Sequence, residues 1–65
     1  LLKYRSYVFV KSLNKPGRLV SFLGFGSVRE PRYWIQYNFG LGEFRESDLV
    51  EITKKEYDAY SVLSS

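Results

Sequence analysis

Sixty-five residues with no Cys, no His and no Met make one small domain, residues 1–65, without disulfides, thiolate metal sites or imidazole chemistry. Hydrophobic residues at 45%, aromatic at 18% and charged at 26% exclude a disordered chain, and no apolar run reaches the roughly twenty residues that span a bilayer. The net charge of +3 is unevenly spread: residues 1–42 hold seven cations against Glu30 alone, a balance of +6, and residues 43–65 hold three against six acids, −3.

That asymmetry points to an anionic partner for the first part of the chain, unless folding intermixes the two halves. No basic-then-apolar leader begins the sequence, so the expected setting is intracellular, cytoplasmic or nuclear, with no membrane partner. A chain that begins at Leu1 and lacks Met throughout is expected to be processed or cut from something longer.

In chain order, residues 4–12 alternate, with Val8 and Val10 on one face and Tyr7 and Phe9 on the other. Period two with β-branched and aromatic residues predicts a strand. Either the termini cover Tyr7 and Phe9 or the two rings form a binding face. Leu13 to Gly17 reads as a loop, because Pro16 presets φ and Gly17 tolerates a positive one. A second strand over 18–24 is apolar on both faces, which suits a sharply bent strand. Gly24-Phe25-Gly26-Ser27 interrupts it, and Val28-Arg29-Glu30-Pro31 completes a hairpin loop.

The third strand, 32–39, places Tyr33, Ile35, Tyr37 and Phe39 on a core face and Arg32, Trp34, Gln36 and Asn38 outside. An external Trp34 must be covered or belong to a contact surface. Gly40-Leu41-Gly42 reads as a turn, with strands at 43–46 and 49–52 on either side of the polar Glu46-Ser47-Asp48. Thr53-Lys54-Lys55-Glu56 matches the T-x-x-E capping box and predicts a helix over about 54–62. Tyr57, Tyr60 and Leu63 are expected to seal an open end of the fold. The predicted core is Val8, Val10, Ile35, Tyr37, Leu49 and Ile52.

Catalytic chemistry has little to work with. No nucleophile–base pair can be written without His or Cys, so the chain is expected not to be an enzyme and to need no cofactor or metal. Gly24-x-Gly26 lacks the third glycine and the following helix of a phosphate-cradling loop.

The succession of V-x-V near the start, P-G-R-L-V, Y-W-I-Q-Y-N-F-G and E-F-R-E-S-D-L-V-E-I, covering Tyr7 to Ile52, resembles the SH3-like small β-barrels of the Tudor and KOW kind. The resemblance implies an all-β, five-stranded barrel closed by a short strand after the D-L turn. It fits accessory domains of nucleic-acid machines, methyl-lysine readers and small subunits of multiprotein complexes alike. The A-L-Y-D-Y stretch and paired tryptophans of peptide-binding SH3 domains are missing.

Two functions follow as expectations. The first is nucleic-acid binding, with Lys11, Lys15, Arg18, Arg29 and Arg32 on phosphates and Phe25 and Trp34 stacking on bases. The second is docking to an acidic protein surface, as a monomer or as part of a larger chain or complex. A contiguous basic stripe with an exposed ring favours the first; local neutralisation by Glu43, Glu46 and Glu51 favours the second.

Overall fold

A computed structural model of the chain describes residues 2–25, 29–38 and 40–64; Phe39, expected on the core face, and Gly26 and Ser27 of the predicted interruption lie outside them. Five antiparallel strands form one sheet: β1 (Tyr7–Val10), β2 (Lys15–Phe25), β3 (Pro31–Tyr37), β4 (Gly40–Arg45) and β5 (Leu49–Ile52), in the order β4-β3-β2-β1-β5. A 3-10 turn at Glu46–Asp48 precedes β5, and a helix, α1 (Lys54–Ser64), ends the chain. Among the described residues no helix is long and apolar enough to cross a membrane.

The eleven-residue β2 belongs to both halves of the sheet. Its start pairs with β1, from Val10 opposite Lys15 to Tyr7 opposite Arg18, and its remainder pairs with β3. Pro16 and Gly17, expected in a loop, therefore lie inside the strand, and the turn falls earlier, at Asn14 with φ 55°. Register shifts after Leu19 and Phe22 add local twist to the half bound to β3.

Gly40 and Gly42 are likewise strand residues, opposite Tyr37 and Ile35. A Cβ at Gly42 would come within 2.9 Å of the Phe44 ring, so this glycine serves packing and not a turn. The ladder does not close into a barrel: β4 and β5 are the two edges of the sheet. The Glu46–Asp48 turn links those edges. The Tyr33 hydroxyl donates to Glu46 at 2.7 Å, and the Lys11 N–H donates to the Asp48 carbonyl at 2.9 Å.

The packed interior consists of Val8, Val10, Leu19, Tyr33, Ile35 and Leu49, with Leu2 and Phe44 against it. Two expected members are displaced. Leu49 and Ile52 are three residues apart, so a regular strand cannot point both inward. Leu49 sits opposite the buried Val10, and Ile52 sits opposite the outward Tyr7, half-buried. Tyr37 ends β3 beyond the tight packing and meets Phe44 at 6.2 Å.

The capping box forms as expected. The Thr53 N–H donates to Glu56 Oε1 at 2.9 Å, and the Glu56 N–H donates to Thr53 Oγ1 at 3.1 Å. The helix then lies over the outward rings of β1, with Tyr57 4.8 Å from Tyr7 and Tyr60 4.8 Å from Phe9. It covers this face. Leu63 stays 82% exposed, because successive steps of three residues drift off one face of a 3.6-residue helix.

Candidate nucleic-acid interface

Outward side chains line up across the strands. The pairings Leu41–Gln36, Gln36–Arg18, Arg18–Tyr7 and Tyr7–Ile52 form one row from edge to edge. The Arg18 guanidinium carbon stands 5.4 Å from the centre of the Tyr7 ring, whose other neighbour is Tyr57. Arg18 is thus held by cation–π attraction, and no carboxylate pairs with it among the described residues.

Three adjoining hollows of about 500, 310 and 280 Å³ share Gln36. Tyr4, Arg5, Arg18 and Val20 line one end; Tyr57 walls the middle; Tyr37, Asn38, Gly40 and Leu41 line the other. Among the described residues no acidic one lines any of them. Two arginines, two amides and three phenol rings give the groove cations for phosphate, faces for stacking and polar edges for hydrogen bonding.

Another hollow lies elsewhere, about 540 Å³ beside the Glu46–Asp48 turn. Its charges are already engaged. Arg32 is ion-paired with Glu43, Arg45 approaches Glu30 at 3.9 Å, and Asp48 accepts the Ser12 N–H at 2.9 Å. A hydrogen bond from the Ser47 side chain, with the Ser47 N–H and the Arg45 charge, holds the Glu30 carboxyl below the ordinary carboxylate range. Arg32 Nε is buried without a hydrogen-bond partner among the described residues, but an anion there would compete with Glu43. Size alone therefore does not make this hollow the better site.

The seven residues singled out from sequence do not converge. Arg18 lines the groove. Lys11 is exposed and Lys15 half-buried at the β1–β2 end. Arg32 pairs across from Gly24, six positions along β2 from Arg18 and up to about 20 Å away at strand rise. Arg29 is exposed with φ 58°. Phe25 is exposed, and Trp34 is half-buried between Ser21 and Glu43 on neighbouring strands. Tyr4, Arg5, Gln36, Asn38 and Tyr57 are not among the residues that the sequence pattern marks for nucleic acid, whereas Tyr37 is one of the rings interleaved with its basic residues. Alternation does put Gln36 outside beside Trp34; its meeting with Arg18 and Tyr57 depends on strand register.

Among the described residues no group of three or more His, Cys, Asp or Glu is placed to hold a metal ion. No protein-family profile, curated protein or solved structure matches the chain.

Proposed function

We propose that the chain is a non-catalytic, intracellular binding module of the SH3-like small-barrel type that takes single-stranded nucleic acid in the groove around Gln36. The barrel affinity is supported by a β2 shared between two halves of the sheet, with register shifts along it, and by the short turn that joins edge strands β4 and β5.

The observation that carries the functional proposal is the acid-free lining of the groove. Its background is a charge balance that folding leaves outward. Glu30, Glu43, Glu46, Asp48, Glu56 and Asp58 each hold a partner inside the chain. Lys3, Arg5, Lys11, Lys15, Arg29 and Lys55 have no ion pair among the described residues. Arg5 and Arg18 supply phosphate contacts, exposed Tyr4 and half-buried Tyr37 supply ring faces, and Gln36 and Asn38 offer amides for a modest base preference.

The test is a titration with short single- and double-stranded DNA and RNA at two salt concentrations. Single strands should bind more tightly than duplexes. Arg18→Gln should weaken all sequences alike and lower the salt slope by about 0.7, the loss of one phosphate contact to a single strand. Absence of binding at low salt to every oligonucleotide would end the proposal.

A further inference from the structure

β2 has an edge that the sheet leaves open. Pairing with β1 stops at Arg18, and the main chain of Leu19 is taken by Ser6 and Arg5. From Val20 to Phe25 the strand has β3 on one side. On its other side no backbone hydrogen bond joins it to any described segment. Edges are normally protected by charge, by lysine or by proline, and Val-Ser-Phe-Leu-Gly-Phe contains none of these. Phe22, Leu23 and Phe25 stand 47%, 37% and 62% exposed, and the two rings meet edge-on at 5.9 Å.

Both ends of this edge are cationic. The Arg5 N–H bonds the Leu19 carbonyl at 3.1 Å, where the open stretch begins, and Arg29 follows beyond Phe25. Both arginines are exposed and lack an ion pair among the described residues. Charge decides between occupants. A second copy paired antiparallel would bring its Arg29 beside Arg5 at each end, and a parallel copy would oppose like arginines, so self-pairing meets repulsion. An acidic strand meets attraction.

We propose that Val20–Phe25 receives an extended segment of a partner protein as an added strand. The segment carries apolar side chains at alternate positions and acidic residues at its ends. Main-chain hydrogen bonds supply affinity, and Phe22 and Phe25 select the apolar positions. The twist added by the two register shifts limits the paired length to about six residues, roughly 20 Å. The stretch shares Val20 with the lining of the Gln36 groove, and Arg5 stands where the two meet, while Ser21 to Phe25 line none of the three hollows.

The experiment is selection of a displayed library of random peptides on the intact chain, followed by amide hydrogen exchange with the selected peptides made synthetically. Apolar-alternating peptides with acidic ends should be enriched, bind more weakly as salt rises, and protect amides within Val20–Phe25. The double variant Phe22→Ser, Phe25→Ser should weaken them about tenfold, with oligonucleotide binding per folded molecule close to the parent's. If that variant melts lower, Arg29→Gln provides the second readout, through weaker peptide binding and a shallower salt dependence. Four outcomes overturn the proposal: no peptide enriched, protection confined to β4 or β5, a concentration-dependent dimer abolished by the serine variant, or oligonucleotide binding lost with it.

Discussion

Gly17→Ala sets two effects of opposite sign against each other. Replacing a strand glycine removes backbone freedom from the unfolded chain and by itself stabilises by about 0.5–1 kcal/mol. At this position, however, the new methyl would lie 2.5 Å from Ile35 Cγ2 and 3.0 Å from the Gln36 carbonyl oxygen. Carbon contacts are best at about 3.5–4.0 Å, so the first overlap is roughly an ångström. Ile35 is fully buried and cannot swing aside, and the Gln36 carbonyl belongs to the backbone opposite Arg18. Overpacking should win, at a net cost of about 2–3 kcal/mol. A chain of this length has only about 3–10 kcal/mol of stability to lose, and the melting temperature should drop by roughly 10–20 °C. Thermal unfolding followed by circular dichroism measures this. An equal or higher melting temperature would show that β2 and β3 do not approach this closely and that the facing of Ile35 is wrong. Because the strain falls on Ile35 and Gln36, oligonucleotide affinity per folded molecule should also fall.

Three further predictions test separate parts of the fold. Thr53→Ala removes half of the reciprocal cap and should cost about 1 kcal/mol; an undiminished helical signal and an unchanged melting curve would deny the cap a role. Burial, and secondarily the Glu46 carboxylate, raises the Tyr33 hydroxyl above its ordinary value. The folded chain therefore holds that proton more tightly than the unfolded one. The resulting stability is complete below pH about 10 and is lost as the pH climbs from there through the folded value. Tyr33→Phe should cost about 1–2 kcal/mol at neutral pH and flatten the alkaline fall in stability, and equal alkaline slopes in the two proteins would contradict this. Trp34→Ala should leave oligonucleotide binding per folded molecule unchanged, since Trp34 lines none of the three hollows around Gln36; a selective loss of binding would return Trp34 to the interface.

What could be read from the sequence was what is local. Alternation over Tyr7–Val10 and Tyr33–Ile35 gives strands with the correct inner faces, and T-x-x-E at Thr53–Glu56 gives the helix start, because neighbouring residues decide both. The glycines misled. Gly17 and Gly42 look like turn residues, yet each lies in a strand tight against a side chain, that of Ile35 on the neighbouring strand in one case and that of Phe44 two residues along the same strand in the other. Period two does not extend to Ile52, whose odd spacing from Leu49 sets it opposite the outward Tyr7. The groove around Gln36 depends on the registers of β2, β3 and β4 and on where α1 comes to rest, and none of these leaves a mark in composition or spacing.

The same dependence on register explains why the uneven charge did not become a basic stripe. The acidic half of the sequence folds back onto the basic half, and β4 brings Glu43 to Arg32. Several cations stay without an ion pair among the described residues. They include Arg5 before β1, Arg18 in the middle of the sheet and Arg29 after β2. Arg18 remains uncompensated because its cross-strand neighbours are Tyr7 and Gln36. A shift of one residue between β2 and β3 would put its side chain and that of Gln36 on opposite faces and dismantle the groove. Recognition by this domain is therefore tied to the packing of Leu19 and Ile35 beneath it, and core substitutions that leave the chain folded but loosen that register should lose ligand before they lose stability.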